Sequence, residues 1–423
     1  MCDAAPIQGR TTDVPASRRQ PHSLSGAYWW LLAAISTSSF GDGLVNVALP
    51  LLAVTLTRNP LLIAGVAVAG RLPWLLISLP AGALADRMDR RRLIGIVEMT
   101  RAIVLLALGL SIAFGHTTLV LLYATALVVG ALETAFAAAT RAMIPSLVDD
   151  ADIPQANGYL LAAETTAEQF AGPAMGGLLF AWAPAVPFLG DAASFAGSAA
   201  LLTRAMPRSG PQHRTSQTTL TDDVRASLRW FRTQPALRVL ALIVSTFAFC
   251  QSMVLSVLVL YGLRVLGLTK TGYGVFLSVA AIGDVLGSVL AHRVHARIGV
   301  SHTIGAAGVA AACGYLILAS TSTIAIGALG CSIEALAVAL GNVATLSLRH
   351  KLIPTDQFGR VNNAFRTCVY AVVPLGALAG GVLTVQVGIR TTFLTAGLLQ
   401  LALTVFLTRR LAAEVLRSPA RRS

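Results

Sequence analysis

The segment "AGALADRMDRRR" (Ala81–Arg92) decides the fold, because an apolar run ends there in a burst of charge. Five small or apolar residues are followed by six charged residues within the last seven positions. Such an ending is typical of a membrane-spanning helix that stops at the bilayer surface, where arginine side chains meet headgroups and water. The segment therefore predicts a membrane protein.

The composition extends this prediction to the whole chain. Of 423 residues, 55% are hydrophobic and only 12% are charged, and the mean hydropathy is +0.71. A stretch of about 20 apolar residues crosses a bilayer core, and its backbone polar groups must be satisfied within a helix. We therefore expect an all-α membrane protein with twelve transmembrane helices, near residues 28–57, 60–84, 93–114, 117–140, 158–182, 186–204, 238–262, 271–292, 301–320, 323–347, 366–388 and 391–409.

The basic residues predict how the chain is oriented. With the N-terminus placed inside, 26 of the 32 lysines and arginines fall on one side, in the tails and the loops after even-numbered spans. The opposite side holds four: Arg58, Arg264, Lys270 and Arg390. This asymmetry predicts cytoplasmic termini in a multi-pass protein of the cell membrane. The net charge of +13 is thereby assigned to orientation and lipid headgroups, and no nucleic-acid partner is expected.

An internal repeat divides the spans into two six-helix, pseudo-symmetric halves. Three glycines of the fifth span recur 204 positions later, after the same Ile-Pro and polar-loop pattern: Gly172, Gly176 and Gly177 match Gly376, Gly380 and Gly381. Parallel halves with a site between them near the membrane midplane are one transporter architecture. The expected segments are a disordered cytoplasmic tail 1–27, a bundle 28–206, a cytoplasmic linker 207–235, a bundle 236–410 and a basic tail 411–423.

Three motifs resemble the major facilitator superfamily. "GALADRMDRRR" resembles the loop 2–3 motif Gly-x-x-x-Asp-Arg-x-Gly-Arg-Arg, and "AGPAMGG" resembles the core of the fifth-helix antiporter motif. "IPSLVDDADIPQANGYL" is similar to the loop after span four in the macrolide-efflux and enterobactin-exporter branch. The sequence departs from these patterns at Asp89, where the loop motif has glycine, and at Glu168, which replaces an upstream glycine. It also lacks the mid-membrane arginine common in the fourth span of antiporters.

The resemblance implies roles for two groups of residues. The first is a gating motif, in which Asp86 pairs with arginine when the cavity opens outward: Gly82, Asp86, Arg87, Arg90 and Arg91. The second is a motif associated with sealing antiporters against leak: Gly172, Pro173, Gly176 and Gly177. Two simpler interpretations stay open, namely that the arginines only orient the protein and that the glycines only allow close packing.

Charges inside the spans are expensive and therefore indicate functional positions. Asp42 is 13 residues beyond Trp29, which places it about 20 Å deep, and Arg71 is 11 residues before Gly82, about 16 Å deep. We hypothesise that Asp42 and Arg71 face the central cavity and approach each other. An Asp42 that alternates between this pair and a dry environment would exchange protons against a cationic substrate. The alternatives are a fixed structural pair, or a hydrated Asp42 at a helix break.

Further carboxylates are candidates for the same pathway. Glu164 and Glu168 are four residues apart on one helix face, so their mutual repulsion favours holding a proton. Alternatively, they cap the loop or pair with Arg141 or Arg366. Glu133 is a further candidate for the coupling role.

Four more charged positions carry structural expectations. Glu98 and Arg101 are three residues apart on one helix face, so they are expected to pair with each other. Asp191 and Glu334 lie nearer the outer half of the membrane and are expected to contact water.

The sequence favours a secondary active transporter over an enzyme. It contains no phosphate-binding glycine loop, and its His and Cys residues show no metal-ligand spacing, so neither a cofactor nor a metal is expected. The favoured function is a proton-coupled antiporter that exports a small amphipathic compound, a drug or secondary metabolite, by alternating access. The alternatives are an uptake symporter, a lipid translocator, or a non-transporting sensor. The expected partners are substrate, protons and lipids, with the protein as a monomer.

Overall fold

The computed structural model describes residues 24–87, 89–149, 152–205, 233–354 and 358–417, and their spans match the twelve predicted ones. In the first half the spans are α1 (Gly26–Leu56), α2 (Pro60–Arg87), α3 (Arg90–Ala113), α4 (Leu119–Met143), α5 (Ile153–Glu164, Thr165–Ala171 and Gly172–Trp182) and α6 (Val186–Ala205). In the second half they are α7 (Pro235–Leu255, Leu258–Leu260 and Tyr261–Val265), α8 (Lys270–Ile298), α9 (Val300–Ser320), α10 (Ile324–Leu352), α11 (Phe358–Tyr370 and Val373–Val387) and α12 (Ile389–Arg417).

The lengths of these helices suit a bilayer. Within the described residues, nine helices are long and apolar enough to cross a membrane. Shorter apolar stretches cover Pro60–Leu76 of α2 and Val186–Leu202 of α6. Most of the predicted tails and linker lies outside the described residues, but α12 runs on to Arg417, beyond the predicted boundary at 410.

Prolines explain two interruptions in the spans. Pro173 has no N–H to donate to the preceding turn, and the segment just before it, Thr165–Ala171, is π-helical. Pro374 likewise lies at the start of a helical segment, Val373–Val387, which follows directly after the break at residues 371–372. Each half therefore has a proline-associated break, one in α5 and one in α11.

The two halves repeat one packing pattern. In the first half α1 packs on α5 and α6, α2 packs on α4, and α3 packs on α4 and α6. In the second half α7 packs on α11 and α12, α8 packs on α10, and α9 packs on α10 and α12. Each helix of the first half thus packs on the same set of neighbours as its counterpart in the second half, as a duplicated bundle requires.

The halves meet along two seams. One seam joins α2 to α11, and the other joins α5 to α8. Exchanging the halves converts either seam into the other, so they are related by the same pseudo-two-fold axis. A space between the halves is therefore bounded by these four helices.

Candidate functional site

A buried ion pair lies at the centre of the first half. Arg101 on α3 is fully buried, and its Nη2 donates a hydrogen bond to Oδ1 of Asp42 on α1. Its Nη1 lies 3.6 Å from Oε1 of Glu98, which confirms the predicted pairing of Glu98 with Arg101. The side chain of Asp42 is 24% exposed, whereas those of Arg101 and Glu98 are inaccessible. Asp42 is therefore the member of this group that meets the surroundings.

Side chains from α1 and α6 enclose the pair. The hydroxyl of Ser38 donates to Oε1 of Glu98 at 3.2 Å. The ring of Phe195 lies 3.9 Å from the guanidinium carbon of Arg101, which allows a cation–π contact. These neighbours fix the orientation of the guanidinium.

A third carboxylate belongs to the same group. Asp191 on α6 accepts a hydrogen bond from Ser194 at 2.9 Å and packs against Gly41, next to Asp42. Asp191 is only 1% exposed, so the prediction that it contacts water was wrong. The reason is the close approach of α1 and α6, which the absent side chain of Gly41 permits.

The charges of this group are unbalanced. The guanidinium of Arg101 pairs with two carboxyls, on Asp42 and Glu98, and a third, on Asp191, interacts with it electrostatically. Full ionisation would leave two excess negative charges in a largely buried cluster, which is less favourable than binding protons. Oδ2 of Asp191 is buried and has no hydrogen-bond partner among the described residues. The cluster formed by Asp42, Glu98, Arg101 and Asp191, called the acidic cluster below, has the chemistry of a proton-binding site.

The predicted pathway residues converge beside the acidic cluster. Glu168, on the π-helical turn of α5, accepts a hydrogen bond from the side-chain amide of Asn46 on α1 at 3.2 Å. The carboxylate of Glu168 also interacts electrostatically with four charged groups: Asp42, Glu133, Glu164 and Arg71. Glu168 therefore lies within electrostatic range of the other four residues proposed for the pathway.

The expected pairing of Asp42 with Arg71 was wrong, because Asp42 pairs with Arg101. Arg71 is exposed and interacts attractively with Glu168; among the described residues it forms no ion pair with Asp42. The physical reason is packing, since α2 lies mainly against α4 and α11 rather than α1. Equal depth in the membrane did not make the two side chains neighbours.

The glycines of the fifth-span motif permit close helix contacts. A Cβ on Gly172 would lie 2.5 Å from Cα of Gly43, and one on Gly176 would lie 2.6 Å from the carbonyl oxygen of Leu44, both on α1. A Cβ on Gly177 would lie 3.0 Å from Cα of Gly274 on α8, in the other half. Two glycines therefore serve packing within the half, and the third serves the seam.

The matching glycines of the second half divide in the same way between packing within the half and packing at the seam. Gly376 and Gly380 pack against the backbone of α7, within their own half. A Cβ on Gly381 would lie 2.8 Å from Cβ of Ala64 on α2, in the other half. The internal repeat therefore preserves the arrangement in space as well as in sequence.

The loop motif is only partly described. Gly82, Asp86 and Arg87 lie at the end of α2, and Arg90 and Arg91 at the start of α3; the side-chain positions of Asp86, Arg87 and Arg90 lie outside the described residues. Asp89, the departure from the superfamily motif, caps α3, because its Oδ1 accepts a hydrogen bond from the backbone N–H of Arg91 at 2.9 Å. Aspartate supplies the acceptor that an N-cap position needs.

The seams are tight on the side away from the chain termini. There the guanidinium of Arg264 donates to the carbonyl of Arg58 at 3.2 Å, linking loops of the two halves. Deeper in the membrane, the hydroxyl of Ser278 donates to the carbonyl of Phe170 at 2.8 Å, and the rings of Trp74 and Tyr370 lie 5.6 Å apart.

The α5–α8 seam widens toward the termini. Ile282, Val285 and Val289 continue the α8 face of Ser278, and they are 47%, 38% and 63% exposed. In agreement, α8 packs mainly on the Gly172–Trp182 part of α5 and hardly at all on Ile153–Glu164, so this seam is looser on the side that carries the termini.

The second half holds polar groups of its own. Glu334 on α10 accepts hydrogen bonds from Gln251 at 3.0 Å and from the hydroxyl of Tyr315 at 3.1 Å. It is half-buried by these partners rather than freely exposed to water. A cavity of about 350 Å³ lies between α7, α10 and α11 and includes Gln251 in its wall.

This combination of twelve spans, two related halves and buried intramembrane charges is that of a membrane transporter of the major facilitator superfamily. The chain belongs to the family described as "Transmembrane secretion effector", whose model matches residues 22–420. A search of curated protein sequences gave no match.

Solved structures share the fold at low identity. A bacterial homologue of the human lysosomal transporter Spinster, inward-facing and unoccupied, has a TM-score of 0.73 and 14% identity over 92% of this chain and 97% of that one. The nucleoside transporter NupG has a TM-score of 0.69 and 14% identity over 92% and 99%. A bacterial homologue of the iron transporter ferroportin, inward-facing, has a TM-score of 0.70 and 16% identity over 90% and 98%.

Proposed function

We propose that this protein is a proton-coupled antiporter that exports a small amphipathic compound, a drug or secondary metabolite, by alternating access. One observation carries the proposal: Asp42 is the partly exposed member of a buried cluster in which Arg101 pairs with two carboxyls and interacts electrostatically with a third, on Asp191. Such a cluster can change its proton content when Asp42 is exposed to one side of the membrane or the other.

Two features support export as the direction. The family is described as secretion effectors, and the Gly172-Pro173-x-x-Gly176-Gly177 segment resembles the antiporter motif. The loop after α4 is similar to that of the macrolide-efflux and enterobactin-exporter branch, which also exports its substrates. Uptake or lipid translocation on the same fold remains the competing function.

The cell membrane, with both termini cytoplasmic, is the proposed location. The excess of arginine at the ends of the spans nearest the termini supports this orientation. With this orientation the looser end of the α5–α8 seam faces the cytoplasm. We further propose that the protein acts as a monomer, without cofactor or catalytic activity, and that its partners are the substrate, protons and membrane lipids.

Efflux from cells tests this function. Cells that lack their own pumps and express the protein should accumulate less of at least one lipophilic dye or antibiotic, and an uncoupler should abolish the difference. Asp42→Asn should abolish the coupled efflux while the protein still reaches the membrane. The control is Asp149→Asn, because Asp149 is exposed in the loop after α4.

Two outcomes would contradict the proposal. If accumulation rises with expression and depends on an inward gradient, the protein is an uptake transporter. If Asp42→Asn exports at the normal rate, the coupling role passes to Glu133, Glu164 or Glu168.

A further inference from the structure

The cavity in the second half has the size and walls of a ligand site. Its volume of about 350 Å³ falls within the range of roughly 300–1,000 Å³ of small-molecule pockets. Phe247 and Tyr370 supply aromatic surface, and the side chain of Asn342 supplies polar groups. The acidic cluster lies in the other half and contributes nothing to this cavity.

Two arginines line the cavity and are held in place. Nη1 of Arg349 donates to Oδ1 of Asn362 at 2.5 Å, and its guanidinium carbon lies 4.7 Å from the ring centroid of Phe365. The guanidinium carbon of Arg366 lies 5.5 Å from the ring centroid of Tyr370. Both guanidiniums are therefore positioned by neighbours rather than free to move into the headgroup region.

The positive charge of this cavity is not neutralised within the described part of the chain. There, neither Arg349 nor Arg366 has a carboxylate at ion-pair distance, and the two guanidiniums repel each other. The amide of Asn362 is neutral and occupies only part of a guanidinium that has five N–H donors. Orientation of the protein requires arginines at this end of the spans but does not require two of them to face one cavity.

We propose that Arg349 and Arg366 bind the anionic head of an amphipathic organic compound, a carboxylate, sulfonate or phosphate. The apolar body of the ligand lies against Phe247 and Tyr370. The inference rests on the proposed function, because it names the charge class of the exported compound. The exported compound is then an anion rather than the cationic substrate considered from the sequence. Protons bind in the first half, and the head of the substrate binds in the second half.

Calorimetric titration of the purified protein in phosphatidylcholine nanodiscs tests the site. The probes are 2-naphthoate and its neutral analogue 2-naphthamide, which have the same ring and similar size. Naphthoate should bind at least tenfold more tightly than the amide. Arg349→Gln and Arg366→Gln should each weaken naphthoate binding about tenfold or more, because a charge-assisted hydrogen bond is lost. The control Arg297→Gln, at the exposed end of α8, should leave the affinity unchanged.

A second arm separates a soluble anion from a lipid headgroup, which has the same charge. Adding phosphatidylglycerol to the nanodiscs should weaken naphthoate binding less than tenfold. Complete loss would overturn the assignment to a soluble compound in favour of a lipid. Equal binding of acid and amide, or unchanged binding in both glutamine variants, would overturn the anion site itself. The titration needs no gradient, so its failure is distinct from a failure of proton-coupled efflux.

Discussion

Asp42 on α1 and Arg101 on α3 form an ion pair whose two members differ in access: Arg101 is inaccessible, and Asp42 is 24% exposed. A proton that reaches Asp42 from the space between the halves therefore competes directly with the guanidinium. The pair joins two helices that otherwise contact each other mainly through α6. A change in its protonation therefore affects the packing of α1, α3 and α6.

Replacing the arginine should shift the pH dependence of transport. Without the guanidinium, the carboxyls of the acidic cluster bind protons more tightly, so that proton release needs a higher pH. Arg101→Met should therefore move the pH optimum of efflux upward and lower the rate at neutral pH. Transport into inside-out vesicles, measured across a pH series, reports both changes. A Met variant whose pH profile matches that of the unmodified protein would exclude the cluster from coupling.

Glycine substitution should distinguish the seam from the exposed part of the same helix. Gly177→Ala places a methyl group 2.8 Å from the carbonyl oxygen of Lys270 and 3.0 Å from Cα of Gly274, both on α8. Overpacking of this kind costs about 1–3 kcal/mol, so the Tm should fall by several degrees. Gly158→Ala on the same span meets nothing within 4 Å and should leave the Tm unchanged or slightly raised. Equal effects of the two substitutions would show that the seam is not tight.

The loop motif should act on turnover rather than on folding. By resemblance, Asp86 makes a charge contact in one conformation only. Asp86→Asn should therefore keep the expression level and slow the transport rate severalfold, whereas Asp149→Asn should do neither. The rate per molecule of membrane protein, from quantified vesicles, is the measurement. Normal turnover in Asp86→Asn would leave the motif with only an orienting role.

The cap of α3 should contribute to stability. Asp89→Ala removes the acceptor for the N–H of Arg91 and should destabilise the protein by about 1 kcal/mol. Asp89→Asn retains an acceptor oxygen and should lose only a few tenths of that amount. Thermal unfolding of the three proteins in detergent distinguishes them. If Ala and Asn are equivalent, charge rather than the hydrogen bond explains the aspartate.

The helices followed from the sequence because hydrophobic length and charge placement are local properties. The ion-pair partner of Asp42 did not follow from the sequence. Arg101 lies 11 residues into α3, about 16 Å deep at roughly 1.5 Å per residue, the same depth as estimated for Arg71. Depth alone therefore could not show which arginine pairs with Asp42. The packing of α1 and α3 on α6 places Arg101, and not Arg71, beside it.

The cavity in the second half escaped prediction for a related reason. Arg349 and Arg366 are 17 residues apart on different helices, and both fit the orienting excess of basic charge. Nothing in their local sequence indicates that they share a cavity. The burial of Asp191 was missed in the same way, because it depends on how closely α6 approaches Gly41.

The two glycine seams have a kinetic consequence. Gly177 and Gly381 lie on seams that the pseudo-two-fold axis interchanges, and both are closed at the same end of the molecule. Opening that end fully requires both seams to part, so their contact energies add into one activation barrier. A substitution that loosens either seam should accelerate the same opening step, and substitutions in both should combine multiplicatively in its rate.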